Sequence, residues 1–254
     1  MNEILRLDPS ERGQLSRLLD DRSASDALAA YYALRHPAER VELYAYTPTP
    51  AGATGFLALA HTGLDLFRPL AIPFVASPRG LLGLLRAGLR PSRPVLLHLP
   101  LDQQAWLGDA VTLSEARPAE LLRLDLRAFR PMVNVLVVET QSPGGWPRYE
   151  IRSGETVFGA AGLNWKGPAF AEVYLEVSPE ARQTAYGRSV LAAISGRLLS
   201  ESIIALFRVE DQDLEARADA MGLGFRPTGI RTLTAQAVLH EETAAAPAPP
   251  GRTA

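Results

Sequence analysis

The sequence of 254 residues contains no cysteine and only one lysine, Lys166. Without cysteine the chain has no disulfide, no thiolate metal ligand and no thiol nucleophile. Its positive charge is carried by arginines spread along the whole chain, which we interpret as a coding bias rather than as a preference for fork-shaped donors. The formal net charge of -2 gives no overall attraction to nucleic acid or to an acidic membrane.

Several other signals are missing. Apolar runs of about 18 residues without a charge, proline or glycine are absent, so no membrane-spanning helix is predicted. The start, Met1-Asn2-Glu3, lacks the basic and apolar regions of a secretory signal. The four histidines lack metal-ligand spacing, and no Gly-x-Ser-x-Gly elbow occurs. We therefore expect a cytoplasmic protein without a metal cofactor and without a nucleic-acid or membrane partner.

Strands and helices recur in similar order in the two halves of the chain, although the halves share no residue-level similarity. In each half, strands precede a helix that begins near Ser77 or near Tyr186, and a buried strand, a helical stretch and an extended segment follow. This order predicts an α/β (α+β) fold with two mixed-sheet domains flanked by helices. The predicted domains are residues 1–127 and 128–241, and residues 242–254, rich in Ala and Pro, are predicted to be a disordered tail.

A candidate anion-binding loop joins a strand to a helix between residues 174 and 188. The strand ends at Pro179, a short turn containing Ala185 and Gly187 follows, and an amphipathic helix begins at once. The free N–H groups and the dipole at a helix N-terminus favour negative charge, and small residues let a diphosphate approach the backbone. Arg182 and Arg188 add fork-shaped donors. An ordinary strand–loop–helix crossover explains the same spacing, which leaves both interpretations open.

This segment resembles the acyl-CoA-binding loop of GNAT-type N-acyltransferases. In that family a strand ending in Val is followed by Pro-Glu, a spacer residue and Arg/Gln-x-x-Gly-x-Gly/Ala. The residues that fall on this pattern are Val177, Pro179, Glu180, Arg182, Ala185 and Gly187. Ala185 replaces the usual first Gly, which a negative φ would permit. The resemblance implies acetyl-CoA, or another acyl-CoA, as co-substrate, bound by Leu175, Val177, Arg182, Gln183, Thr184, Ala185, Tyr186, Gly187, Arg188 and Asp213.

A second segment, residues 213–225, resembles the family's Asn-x-x-Ala helix with its Gly-Phe turn. Ala216, Gly224 and Phe225 match, while Asp213 stands where Asn is usual. Ala220 stands where the family often has the Tyr that protonates the leaving thiolate, and a methyl group cannot donate a proton. The resemblance therefore implies the binding fold more directly than it implies catalysis.

The resemblance also implies a catalytic base on the strand before the loop, which takes a proton from the amine. Glu172 and Glu176 have the same parity and share one strand face with Tyr174. Either glutamate is the candidate base, and two solvated carboxylates are the alternative. Trp165 lies in a predicted hairpin, where it lines a substrate cleft or plugs the hairpin. His98 closes an apolar strand and is interpreted as structural.

These observations predict tandem GNAT-like domains. The N-terminal one is expected to be degenerate, because Pro78-Arg79-Gly80 lacks the preceding Arg-x-x-Gly, and to shape an acceptor cleft or an interface. The first hypothesis is an acyl-CoA-dependent N-acyltransferase acting on an unidentified small-molecule or peptide amine. The alternatives are a non-catalytic acyl-CoA-binding or regulatory protein and a purely structural dimerisation protein. A homodimer is a further expectation.

Overall fold

Twelve strands form one continuous mixed sheet in the computed structural model, which describes residues 3–63, 65, 67–182 and 184–241. The strands of the N-terminal half are β1 (Ile4–Leu7), β2 (Val41–Tyr46), β3 (Gly55–Ala60), β4 (Leu70–Phe74), β5 (Pro94–Pro100) and β6 (Val111–Leu124). Those of the C-terminal half are β7 (Val137–Gln141), β8 (Pro147–Ser153), β9 (Thr156–Lys166), β10 (Phe170–Val177), β11 (Ile204–Glu210) and β12 (Phe225–Leu239). The helices are α1 (Ala27–Leu34), α2 (Pro78–Gly88), α3 (Tyr186–Ser200) and α4 (Leu214–Leu223).

The strand order across the sheet is β1-β2-β3-β4-β5-β12-β6-β11-β10-β9-β8-β7. Neighbouring strands are antiparallel except at two places, where β4 pairs with β5 and β10 pairs with β11 in parallel. Each half thus contributes one parallel pair within an otherwise antiparallel sheet. The predicted mixed α/β architecture with flanking helices is confirmed.

The two halves exchange their last strands. β6 closes the N-terminal half in sequence, but it lies between β11 and β12 of the C-terminal half. β12 ends the described chain and pairs with β5 from Thr232–Pro100 to Val238–Pro94. Because each closing strand hydrogen-bonds to the other half, the sheet has no gap between the halves.

Three hydrophobic clusters cover the sheet. α1 packs on one face of the N-terminal strands, and the same cluster reaches Trp165 and Leu206 of the C-terminal half. α2 packs on the opposite face, so β3 is buried along its whole length. α3 and α4 pack over β10, β11 and Phe225. Burying apolar surface stabilises the folded state by about 25 cal/mol per Å². These contacts are therefore the main contribution to the stability of the fold.

Local sequence signals define several helix ends. The side chain of Asp8 accepts a hydrogen bond from Ser10 N and forms a capping box with Glu11, although the segment Pro9–Leu18 is 3₁₀ helix rather than α-helix. Ser77 caps α2 by accepting from Gly80 N. Gly224 ends α4 with φ 109°, the left-handed conformation that glycine adopts without strain.

Among the described residues, none of the helices is both long and apolar enough to cross a bilayer. In the same ranges no cluster of three or more His, Asp or Glu side chains is arranged to hold a metal ion. The predicted disordered tail, residues 242–254, lies outside the described residues.

Candidate functional site

The parallel strands β10 and β11 separate halfway along their length. They pair from Phe170–Ile204 to Val173–Phe207, but β10 continues to Val177 and β11 to Glu210. A cleft of about 470 Å³ opens where they part. Because separating strands present backbone N–H and C=O groups to the space between them, an extended ligand can pair there in the manner of an added strand.

This cleft continues toward the N-terminus of α3 as a second depression of about 440 Å³. Leu175 and Val177 line the depression from β10, and Arg182 and Asp213 line it from the adjoining loops. Four of the predicted binding residues are therefore brought together. Gln183 lies outside the described residues.

The loop before α3 has the backbone that its small residues suggest. Ala185 has φ -79°, so alanine is unstrained where the resembling family has glycine. Gly187 packs so closely that a Cβ there would lie 3.0 Å from Val177 Cγ2. The other predicted residues of this loop differ in accessibility: Thr184 is exposed, and Tyr186 and Arg188 are half-buried.

Asp219 of α4 lines the depression beside the N-terminus of α3, a contact that the sequence does not predict. Its Oδ2 is 2.9 Å from the position that a Cβ on Gly187 would take, and its carboxylate accepts a hydrogen bond from the backbone N–H of Arg188. Burial raises the pKa of Asp219, while the charge of Arg188 opposes that shift. Three further carboxylates line the depression: Glu210, Asp213 and Glu215. The apolar lining suits a pantetheine arm, whereas the Asp219 carboxylate opposes a diphosphate at this end of the depression.

Glu172, one of the two candidate bases, is buried at the point where β10 and β11 separate. Its Oε1 accepts hydrogen bonds from Asn164 Nδ2 at 2.8 Å and from Arg208 Nη2 at 2.7 Å. Its Oε2 accepts one from Trp165 Nε1 at 3.1 Å. A carboxylate oxygen has two lone pairs, so Oε2 keeps one for a further donor. Only 3% of the surface of Glu172 is exposed to solvent. Its negative charge is balanced by Arg208.

His98 extends this network on the other side of Arg208. Arg208 Nη1 donates to His98 Nδ1 at 2.7 Å, and Thr234 Oγ1 lies 3.0 Å from the same nitrogen. Because Nδ1 accepts from a guanidinium, the neutral ring carries its proton on Nε2. Burial, together with the charge of Arg208, holds the pKa of His98 well below its ordinary value. The structural role predicted for His98 agrees with this arrangement.

Glu176, the other candidate base, is exposed on the same strand. Its Oε2 accepts from Arg148 Nη2 at 3.0 Å. Arg148 also donates to Glu150 Oε1 and to Tyr174 Oη, both at 2.6 Å. Tyr174 lines the cleft, and burial raises the pKa of its phenol. Glu172 and Glu176 therefore lie on the same strand but in different environments, one buried and the other exposed.

The helix α4 presents its N-terminal end to the cleft. Asp213 caps the helix by accepting from Ala216 N at 3.0 Å, and both residues line the cleft. Ala220, one turn further on, is fully buried in the core under α3. The methyl group of Ala220 thus contacts other core side chains.

A larger cavity of about 780 Å³ lies on the α1 side of the sheet. Glu172, Arg208 and His98 line its inner wall, together with Trp165. Glu172 and Arg208 also line the β10–β11 cleft, so the two spaces adjoin at this ion pair. Trp165, which the sequence left as either cleft lining or hairpin plug, is buried yet borders the cavity and holds Glu172.

The equivalent loop of the N-terminal half is closed. Ser77 Oγ accepts from Gly80 N at 3.2 Å, which occupies the donor that an anion would use. A Cβ on Gly80 would lie 2.6 Å from Val75 Cγ2 and 2.8 Å from Tyr46 Cε1. This crowding supports the expected degeneracy of the N-terminal anion site.

Two site residues, Arg208 and Asp219, were missed by the sequence reasoning. Arg208 is the one charged residue inside the buried run Ile203–Val209, and an isolated charge in an apolar strand is a usable signal. Asp219 carries no comparable signal, since an acidic residue on a helix is usually solvated.

The sequence itself matches no protein-family model and no curated protein. The structure, in contrast, matches solved GNAT proteins over most of their length. A tandem GNAT protein from the clavulanic acid biosynthesis pathway is 14% identical, with a TM-score of 0.61, covering 95% of this chain and 99% of that one. The chain has the GNAT fold.

Two other solved structures resemble this chain over most of their length. A GNAT-family acetyltransferase from Colwellia psychrerythraea has a TM-score of 0.59 at 10% identity, covering 92% of this chain and 98% of that one. A protein from Drosophila has a TM-score of 0.64 at 15% identity, covering 94% of this chain and 99% of that one. At these identities the likeness concerns the fold alone.

Proposed function

We propose that the protein is an acyl-CoA-dependent N-acyltransferase in which the C-terminal half binds the acyl donor. The observation that carries the proposal is the meeting of the β10–β11 cleft and the larger cavity at the Glu172–Arg208 pair. A donor in the cleft and an amine in the cavity would approach each other at this pair. Holding two reactants in this way is a large part of catalysis by proximity.

Acyl-CoA, when bound, supplies the thioester carbonyl that the amine attacks. Leu175 and Val177 would flank its pantetheine arm, and Arg182 would approach its phosphates. Acetyl-CoA is the first donor to test, because the resemblance implies it.

The free lone pair of Glu172 Oε2 would take the ammonium proton, directly or through one water. Arg208 and Asn164 hold Oε1 and so orient the carboxylate. Tyr174 lines the cleft and accepts a hydrogen bond from Arg148, and its own phenolic proton is available for the departing thiolate. Tyr174 would thus take the role that Ala220 cannot fill.

The test is a panel of primary amines with acetyl-CoA and detection of the released thiol. For an accepted amine, Glu172→Gln is expected to lower kcat by about 100-fold or more, because a positioned base contributes about 10²–10⁴-fold. Tyr174→Phe is expected to lower kcat with little change in KM. Turnover that survives Glu172→Gln unchanged would remove Glu172 from the mechanism.

A second candidate is a non-catalytic acyl-CoA-binding protein. It is favoured by the three donors that already occupy Glu172 and by the buried methyl group at Ala220. In that case CoA raises the unfolding temperature, since a ligand that binds only the native state stabilises it, but no amine is acylated. If millimolar CoA leaves the unfolding temperature unchanged, both candidates fail and a structural role remains.

A further inference from the structure

We propose that the cavity beside Glu172 binds a primary amine carried on a large apolar body, of the arylalkylamine class. The inference rests on the proposed function for its chemistry, since it names the acceptor. The binding itself is a separate matter and can be measured without turnover.

Size and lining indicate a ligand of this bulk. The cavity measures about 780 Å³, within the range of about 300–1,000 Å³ that holds drug-sized ligands. Its walls are mostly apolar, from α1 as well as from both halves of the sheet: Leu28, Ile72, Phe74, Leu121, Trp165 and Leu206. A small polar amine would leave most of this surface unmatched.

The N-terminal half contributes its own strand separation to this space. β4 and β5 pair only at Leu70–Leu96 and Ala71–Leu97, and then part. The residues beyond this point on both strands, 72–76 and 98–102, line the cavity. The Ser77 cap occupies the backbone N–H of Gly80 in the adjoining loop, so no anion-binding loop lies beside this strand separation. We therefore assign the space between β4 and β5 to the amine acceptor.

The charges around the cavity favour a cation. Glu172 is paired with Arg208, and Arg231 is paired with Asp211. Asp26 accepts hydrogen bonds from the neutral donors Asp20 N and Ser25 Oγ. Asp102 is an exposed carboxylate on the same lining, and within the ranges that the structure describes neither it nor Asp26 forms an ion pair. With His98 neutral, the remaining charge is negative, which attracts an ammonium group.

The experiment measures binding of 4-phenylbutylamine to the full chain by calorimetry, with 4-phenylbutanol and ethanolamine as probes lacking the charge or the apolar body. Ala24→Trp and Ala76→Trp each place an indole at the cavity lining from a different segment, and Ala24 and Ala76 are not deeply buried. We expect each to weaken 4-phenylbutylamine binding at least tenfold. Ala87→Trp, on the exposed side of α2, is the matched control and should leave it unchanged.

Charge is tested by Asp102→Asn, which should weaken 4-phenylbutylamine several-fold and leave 4-phenylbutanol unaffected. Thermal unfolding of every variant shows whether it has folded. If one of the two indole variants does not fold, the other still tests the proposal. The proposal is overturned if ethanolamine binds as well as 4-phenylbutylamine, or if neither indole variant that folds changes binding. The proposal is also overturned if the indole variants bind 4-phenylbutylamine normally but transfer the octanoyl group from octanoyl-CoA to ethanolamine more slowly. The cavity would then hold an acyl chain.

Failure of the proposed function gives a different result. If 4-phenylbutylamine binds and is blocked by the indole variants, but no acyl group is transferred from acetyl-CoA, the binding inference stands and the transferase proposal fails. If acetyl transfer occurs with small amines and is insensitive to the indole variants, the transferase proposal stands and the inference about the acceptor fails.

Discussion

At the scale of single residues, one buried ion pair organises the candidate site. Glu172 and Arg208 belong to neighbouring strands, and their contact at 2.7 Å lies where the β10–β11 cleft and the larger cavity adjoin. Burying charge is costly, and further hydrogen bonds to both members of the pair offset part of that cost. Asn164, Trp165 and His98 provide those additional hydrogen bonds.

The first prediction concerns the stability of this pair. Glu172→Gln removes the charge that balances Arg208 and should lower the free energy of unfolding by about 3 kcal/mol, the usual cost of breaking a buried pair. Glu176→Gln is the matched control on the same strand face and should cost less than about 1 kcal/mol, because Glu176 is exposed. Urea unfolding of both variants measures the difference. Equal losses of unfolding free energy in the two variants would show that the Glu172–Arg208 pair does not stabilise the fold.

The second prediction concerns pH. His98 is neutral in the folded protein, because burial holds its pKa well below the ordinary value, whereas in the unfolded chain it titrates near 6.5. The unfolded state therefore binds more protons as pH falls below about 6.5, so the contribution of His98 is fully present above that pH and is lost below it. Between pH 7 and pH 5 this amounts to about 2 kcal/mol.

His98→Gln should remove that dependence, because an amide oxygen can still accept from Arg208 but does not titrate. The check is urea unfolding of the native protein and the variant at pH 5, 6 and 7. Other groups also make stability depend on pH, among them the carboxylates and His36, and burial lowers the pKa of His36 as well. Their contributions are the same in both proteins and cancel in the comparison. Parallel pH curves for the two proteins would contradict the neutral assignment of His98.

At the scale of elements, the contact between α3 and α4 decides what the anion site can hold. The N-terminus of α3 offers backbone N–H groups, yet Asp219 of α4 already accepts one of them. The carboxylate thus takes up a backbone donor at the loop whose sequence resembles the family's acyl-CoA loop. Sequence motifs do not show such a contact, because α4 begins 26 residues after Arg188 and only packing brings Asp219 to it.

The third prediction follows from that contact. Asp219→Asn keeps an acceptor for Arg188 N but removes a negative charge beside the phosphates, and should tighten CoA binding about tenfold, equivalent to about 1.4 kcal/mol. Since burial raises the pKa of Asp219, lowering the pH protonates it and should tighten CoA binding to the native protein more than to the variant. Calorimetric titration with CoA at two pH values tests both statements. Weaker binding to Asp219→Asn would mean that the carboxylate supports the site instead of competing with the phosphates.

At the scale of the whole molecule, the exchange of β6 and β12 ties the halves together. β5 meets β12 rather than a strand of its own half, and β11 meets β6. Neither half can therefore complete its sheet alone, and an unpaired strand edge is prone to association. The domain boundary near residue 127 remains a prediction, and so does the homodimer, which gel filtration of the full chain would test.

The fourth prediction uses that exchange. Residues 1–127 and 128–241 produced as separate chains should each lack a cooperative unfolding transition, because each lacks one neighbour strand. Mixed or coexpressed, they should assemble into a one-to-one complex that unfolds cooperatively. The measurements are circular dichroism and size-exclusion chromatography. A single fragment that folds cooperatively as a monomer would show that the exchanged strand is dispensable.

The sequence by itself determined the local elements and the nature of the binding segment. Strand and helix periods, the caps at Asp8 and Ser77 and the loop residues 179–187 act over a few positions, so they can be read from the chain order. The shared face of Glu172 and Glu176 followed from strand parity in the same way.

Only the tertiary structure decided which of these residues meet. Glu172 is buried because Arg208, Asn164 and Trp165 converge on it, while Glu176 four residues away remains in solvent. Asp219 reaches the anion site, and β12 crosses to β5, through contacts between segments far apart in sequence. The physical reason is that charge pairing, burial and strand exchange depend on long-range packing, which a local pattern of residues does not encode.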